Sequence, residues 1–199
     1  MRVIAGTAKG RQLKSPTSIG TRPIIDRVKT ALFDILSDQV VDATVLDLFG
    51  GVGSVGIESL SRGAKHATFI ELDGKIATII RENLRLTQLA AAGEVIQGDA
   101  FHYLTTIAAT NRRFDIIYVA PPQYQGLAAQ ALHQIDAVPL ITSDGLVIVQ
   151  IHPKERIDVT EDPLQHLQLV DERRYGSTLL MFYALDQAVD MTRSSHTEE

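Results

Sequence analysis

Three carboxylates and a cluster of glycines stand where short apolar runs end. Asp47 precedes Gly50, Gly51 and Gly53 in LDLFGGVG, Glu71 closes HATFIEL, and Asp99 follows EVIQ in Gly98-Asp99-Ala100. Glycines at such a place let the backbone turn tightly and let a ligand approach the chain and the next helix N-terminus. A carboxylate beside that loop attracts an amino group or a cationic centre and repels a pyrophosphate. A second carboxylate suits ribose hydroxyls, and a third can accept from an adenine amino group. An amine, a ribose and an adenine with no phosphate between them describe S-adenosylmethionine. Gly51, Gly53 and Gly56 also satisfy G-x-G-x-x-G, and Glu71 and Asp73 lie near the ~20-residue spacing of the dinucleotide fingerprint. NAD is therefore the rival ligand, and Asp47 counts against it. Each acid also has a plainer role open to it: Asp99 could cap the following helix, and Glu71 could lie in solvent.

A second stretch, VAPPQY from Val119 to Tyr124, follows the apolar run Phe114 to Val119. Two prolines remove two N–H donors and stiffen the backbone, so the carbonyls stand in fixed directions. Such a loop suits a partner that offers donors, for example the amino group of a base, yet it holds no acid, base or nucleophile. Alone, a proline pair reads as a stiff turn. The histidines at 66, 102, 133, 152, 166 and 196 make no metal-ligand spacing, and no G-x-S-x-G occurs. His152 closes an apolar run, but with no evident partner it reads as a partly exposed structural residue.

The elements that must position these groups follow from the apolar pattern. TVLDLF, HATFIEL, EVIQ, FDIIYV and GLVIVQI read as strands, and they alternate with helices over GVGSVGIESLSRG, Asp73 to Leu89, Asp99 to about Ala108, and roughly Tyr124 to Ile135. That alternation predicts a parallel sheet covered on both faces, with ligands beyond the carboxyl ends of the strands. LQLVDERRYG and STLLMFYAL are joined at Tyr175-Gly176-Ser177, room for only a tight turn, so they must pair antiparallel. Ile24 to about Val40 reads as an amphipathic helix, and residues 2–5 with 11–14 as a β-hairpin around GTAKG.

The 199 residues, 45% of them hydrophobic, suffice for one domain with a sizeable core. The absence of cysteine excludes disulfides, thiolate metal sites and a cysteine nucleophile. No apolar stretch reaches the ~20 residues of a membrane helix, and the start is too short in apolar residues for a secretory signal. A cytoplasmic location is expected. Net charge is −5, but Arg2, Lys9, Arg11, Lys14, Arg22, Arg27 and Lys29 against Asp26 give residues 1–30 a charge of +6, leaving −11 for the rest. A basic segment on an acidic body is the pattern expected where one face meets phosphate.

At this point LDLFGGVGSVGIESLSRGA, Glu71, GDA and the paired prolines resemble a class I methyltransferase. RVIAGTAKGRQL, TRPIIDRVKTALFDIL and RRYGST resemble the bacterial 16S rRNA (guanine-N2)-methyltransferase family, in the right order over about residues 1–185. The resemblance implies an α/β fold: a Rossmann-like sheet of seven strands, the last antiparallel, with helices on both faces and an N-terminal β-hairpin extension. It implies residues 1–22 as a basic hairpin arm and loop, 23–185 as the catalytic domain and 186–199 as a flexible tail. Asp47, Phe49, Gly50, Gly51 and Gly53 would line the methionine end of the cofactor, Glu71 would take the ribose, and Asp99 with Ala100 the adenine. Thr21, Arg22, Pro23, Asp26 and Arg27 would cover the site. Arg2, Lys9, Arg11 and Lys14, with Arg22 and Arg27, would hold RNA.

The catalytic loop would be Ala120, Pro121, Pro122, Gln123 and Tyr124, in place of the family's usual Asp (or Asn)-Pro-Pro-Tyr. Ala120 offers no side-chain acceptor for the guanine amino group, and Gln123 cannot stack as tyrosine does. The amide oxygen of Gln123 can accept instead, and Tyr124 can bring its ring to the base one residue late. The implied partner is ribosomal RNA or the small ribosomal subunit, with no membrane, no metal and a monomeric enzyme. Two rival functions stand beside this one: a dinucleotide-dependent oxidoreductase, and an RNA-binding assembly protein of the same fold without catalysis.

Overall fold

The computed structural model of the chain describes residues 1–16 and 24–186. The expectations for Thr21, Arg22 and Pro23, and for the tail beyond Asp186, lie outside the described residues. Seven strands form one sheet: β1 (Thr44–Asp47), β2 (His66–Glu71), β3 (Gly93–Gln97), β4 (Phe114–Val119), β5 (Ile141–Ile151), β6 (Leu167–Tyr175) and β7 (Thr178–Leu185). Their order is β3-β2-β1-β4-β5-β7-β6. β7 alone runs antiparallel to its neighbours. Two residues between Tyr175 and Thr178 leave too little chain for a crossover, so β7 returns along β6 and inserts beside β5. The expected fold class is the observed one.

The helices are α1 (Asp26–Leu36), α2 (Ser54–Ser61), α3 (Gly74–Thr87), α4 (Ala100–Ala108), α5 (Leu127–Asp136) and α6 (Arg156–Thr160). Successive strand residues point to opposite faces, so Val45 and Leu46 serve different cores. Val45 and Phe69 pack with Val28, Leu32, Ile57 and Ile80 of α1 to α3, while Leu46 and Ile70 pack with Leu104, Ala131 and Leu132 of α4 and α5. The result is a helix–sheet–helix sandwich.

Several boundaries differ from the sequence reading, among them the start of β5, at Ile141 rather than Gly145. α1 stops at Leu36, and a 3-10 turn over Ser37–Val40 carries Val40 into the core. α5 starts at Leu127 rather than Tyr124, because Tyr124 and Gly126 take φ of 63° and 68°, outside any right-handed helix. The short α6 and the single turn before it, Pro153–Glu155, were not expected.

The N-terminal hairpin forms, with Arg2 paired to Gln12 and bonds from Val3 N to Arg11 O and Leu13 N to Met1 O, both 3.0 Å. Its inner side is part of the core, since Val3, Ala8 and Leu13 are buried with α1. The hairpin covers the outer face of α2, which explains why all eight residues of that helix are buried although Ser54, Glu58, Ser59 and Ser61 are polar. Their partners are supplied by the hairpin and α1. The Glu58 carboxylate accepts from Ile4 N at 2.8 Å and Ala5 N at 2.9 Å, and pairs with Lys29 Nζ at 3.1 Å and Arg62 Nε at 2.9 Å. Ser61 Oγ accepts from Ala8 N and donates to Ala5 O.

Lys29 thus corrects the charge reading of the N-terminal segment. It is fully buried, its ammonium also donating to Arg2 O and Ser54 Oγ, and it cannot meet phosphate. Burial lowers its pKa, against the attraction of Glu58. Removing the charge of Glu58 should loosen the hairpin first. In Glu58→Gln, an amide N–H₂ faces groups that are themselves donors, at a cost of about 1–3 kcal/mol. Hydrogen exchange at the Ile4 and Ala5 amides should accelerate accordingly; unchanged protection would show that apolar packing alone holds the hairpin.

Candidate active site

The central pair of strands sets the geometry. β1 and β4 lie side by side and parallel, Asp47 opposite Tyr118. Beyond them the chain turns in two directions: Leu48-Phe49-Gly50 toward α2, and Ala120-Pro121-Pro122 toward α5. Leu48 N still donates to Tyr118 O at 3.0 Å. The glycine loop and VAPPQY therefore leave neighbouring strand ends; the sequence reading placed both at strand ends, and the sheet order makes them adjacent.

Asp47 is 2% exposed, and one carboxylate oxygen, Oδ2, accepts from Gly56 N at 3.2 Å. Its Oδ1 makes no hydrogen bond among the described residues. Burial pushes the carboxyl up to about 7; the Gly56 bond opposes this and the nearby Glu71 charge adds to it. Such a group has an unmet demand for positive charge. Gly53, at φ 80°, ends the loop in the left-handed region, and a Cβ on Gly56 would come within 2.3 Å of the Phe69 ring. The third glycine of G-x-G-x-x-G is thus needed for packing α2 against β2, which accounts for the match to the dinucleotide pattern without a dinucleotide.

Glu71 does not lie in solvent. Its Oε2 accepts from Gly51 N and its Oε1 from Asp73 N, both at 2.9 Å, so it ties the end of β2 to the glycine loop. Asp99 caps α4 by accepting from His102 N at 2.8 Å through Oδ1. The capping role is therefore real. The other oxygen has no partner among the described residues, and the side chain is exposed, so capping does not exhaust it. Ala100 is buried as the first residue of α4. Phe49 meets Phe101 edge to face, with centroids 6.1 Å apart. Phe101 joins the end of β1 to the start of α4 and escaped the sequence reading, where it looked like an ordinary apolar helix residue.

In VAPPQY, Pro121 is buried, Ala120 half-buried against the core, and Pro122 and Tyr124 exposed. The Tyr124 ring lies 5.4 Å from the ring of His152, tilted by 44°. His152 has a partner after all, contrary to the sequence reading. Glu155 accepts from Tyr124 N and from His152 N. Tyr118, under the loop, donates to Gln150 Oε1 at 2.6 Å, and burial holds its phenol well above the usual range, with Asp47 adding to the effect. Gln150, Glu155 and the ring pair carry no motif spacing; only the fold brings them together.

On the basic side, Arg2 pairs with Asp26 at 3.4 Å and Lys14 with Glu82 at 2.9 Å, both on the surface. Lys9, Arg11 and Arg27 are exposed and make no ion pair among the described residues. A separate cavity of about 220 Å³ lies at the opposite end of the sheet, lined by Asp136, His166 and Leu185 among others. The Asp136 carboxylate there is occupied by the amides of Gln165, His166 and Leu167. Among the described residues no cluster of histidines and acids is arranged to hold a metal, and no helix is long and apolar enough to cross a membrane.

A seven-stranded sheet with its last strand reversed, a glycine loop under a buried acid, and a proline-paired loop at the adjoining strand define a class I methyltransferase. The chain belongs to the family described as Conserved hypothetical protein 95, whose model matches residues 1–184. It is 35% identical over 150 residues to ribosomal RNA small subunit methyltransferase D of Escherichia coli K12, covering 75% of this chain and 74% of that one. It is 32% identical over 183 residues to YlbH of Bacillus subtilis 168, provisionally named an rRNA methyltransferase, covering 92% and 98%. An Escherichia coli structure provisionally named a methyltransferase, yhhF, superposes with a TM-score of 0.78 at 30% identity, over 94% of this chain and 98% of that one.

The Asp47 carboxyl titrates near 7 when folded and near 3.8 otherwise. Its contribution to stability is therefore complete below about pH 3.8 and lost as pH rises through 7. A cationic ligand favours the ionised form, so binding should release a proton. Affinity for S-adenosylmethionine should fall by up to about tenfold for each pH unit below 7. Calorimetry at pH 6 and pH 8, with Asp47→Asn as control, checks this; a flat profile would remove Asp47 from the cationic end of the ligand.

Proposed function

We propose that this protein transfers a methyl group from S-adenosylmethionine to the exocyclic N2 of a guanine in small-subunit (16S) ribosomal RNA. The observation that carries the reading is the adjacency of β1 and β4, which sets the proline carbonyls beside the loop governed by Asp47. Asp47, Phe49 and the glycines 50, 51 and 53 hold the amino-acid end of the cofactor, Glu71 the ribose, and Asp99 with Ala100 and the Phe49–Phe101 pair the adenine. The residues fit such a ligand: a buried acid with one oxygen unbonded among the described residues at the cationic end, and acids rather than bases at the ends of β1 and β2 and after β3. When bound, S-adenosylmethionine supplies a methyl on a sulfonium that departs as a neutral thioether.

Guanine N2 is a weak nucleophile because its lone pair is spread into the ring. The Pro121 carbonyl and the Gln123 amide oxygen accept its hydrogens and turn the lone pair outward, while an aromatic ring holds the base after it leaves its stack; the one proton that N2 sheds on taking the methyl leaves to water. Losing one hydrogen bond at Ala120 costs about 1–3 kcal/mol, whereas positioning an activated donor supplies ~7–11 kcal/mol. The larger contribution survives the substitution. Lys9, Arg11 and Arg27, with Arg2, Lys14 and Arg22, hold the RNA backbone, and the setting is the cytoplasm.

Labelled methyl transfer to small subunits lacking base methylation tests the reading. The natural protein should label a guanine, and Ala120→Asp should raise the rate about 5- to 150-fold. Label only with Ala120→Asp would identify a binding protein that has lost catalysis. Reversing Lys9 and Arg11 to Glu should weaken subunit binding, and flatten its salt dependence by about one unit of slope per lost phosphate contact, while sparing cofactor affinity. Intact binding would sink the basic surface.

A further inference from the structure

The side chain of Glu155 is 6% exposed and serves two backbone amides. Oε2 accepts from His152 N at 3.0 Å, the bond expected of a residue closing the turn Pro153–Glu155. Oε1 accepts from Tyr124 N at 2.7 Å, 31 positions earlier in the chain. That second bond has nothing to do with capping the turn. It fastens the VAPPQY loop at a residue whose φ is 63°, a conformation that side chains other than glycine and asparagine rarely adopt.

The consequence is an aromatic ring held out in one direction. Tyr124 is 63% exposed, yet its ring is braced by the imidazole of His152, and that imidazole is itself anchored where Nδ1 accepts from Lys154 N at 3.2 Å. Core packing does not require a tyrosine here, and its surroundings leave most of the ring free. A ring fixed on one side and open on the other, at the end of β4, is what a splayed base needs for stacking. Gln123 has no ring to offer.

We infer that Glu155 and His152 are positioning residues that set Tyr124 as the stacking surface for the target base, replacing the ring missing at position 123. This rests on the RNA methyl-transfer reading above, and the test separates the two. Kinetics and equilibrium binding are measured on unmethylated small subunits, with cofactor affinity and melting temperature as controls. Tyr124→Gly removes the ring while suiting the left-handed backbone, and should lower kcat/KM and weaken subunit binding about 5- to 150-fold. Tyr124→Phe keeps the ring and should lose far less than Tyr124→Gly in both measurements. Glu155→Gln keeps the size but offers one acceptor for two amides, and should cost about tenfold.

Adding Gln123→Tyr to Glu155→Gln should restore subunit binding, though not the rate lost with the Gln123 acceptor, because a ring there does not depend on the clamp. A residue that only held the fold would give no such rescue, and failure of rescue overturns the positioning role. Tyr124→Gly with unchanged binding and kinetics overturns the stacking role. A natural protein that transfers no methyl, yet loses subunit binding with Tyr124→Gly, would overturn methyl transfer and leave the stacking surface standing. A natural protein that does not bind subunits overturns both.

Discussion

A carboxylate buried at the end of a central strand must be answered by something positive or by dipoles, and among the described residues Asp47 is answered by one amide. The rest of the site can be understood as the surroundings of that incomplete neutralisation. The glycine loop lies close against Ile80 and Phe69 with little room for larger residues at Gly50 and Gly53, Glu71 holds the loop from β2, and β4 delivers its rigid turn alongside. A group titrating near 7 rather than below 4 is poised to respond to a cationic ligand. Phosphate-bearing cofactors meet the wrong charge here.

The N-terminal hairpin shows how a basic surface can be mounted on an acidic domain without being loose. Its backbone amides converge on Glu58, the same carboxylate that satisfies Lys29 and Arg62. Buried ion pairs seldom add much net stability, because desolvation offsets the attraction. What this one contributes is registry: it fixes where the hairpin lies on α2, whose first residue, Ser54, follows the glycine loop and accepts from Lys29. The basic hairpin and the glycine loop are thus attached to one short helix.

The VAPPQY loop departs from the family pattern at two positions, and the structure shows the departures to be local. Pro121 remains buried and Ala120 packs against the core. The residue one position late has an unusual backbone angle and is held by a carboxylate reaching across from the turn after β5. On the proposed reading, chemistry that the family places in four consecutive residues would be distributed over the loop after β4 and the segment following β5.

The sequence by itself determined the sheet, the strand ends and the acids at them, because alternating apolar runs and glycine turns are local signals with fixed periods. TVLDLF, HATFIEL and FDIIYV became strands nearly where their patterns ended, and Asp47, Glu71 and Asp99 stand at strand ends as expected. The cap made by Asp99 was open to the sequence as one of two roles, whereas the bond from Gly51 N to Glu71 was beyond its reach, since it depends on side-chain direction. Only the tertiary structure decided that Lys29 is buried rather than exposed, because its partner lies 29 residues away on another helix. Likewise, nothing in the spacing of Tyr124, His152 and Glu155 announces a cluster. They meet because β4 and β5 are parallel neighbours whose loops leave the sheet on the same side, a contact that no local pattern encodes.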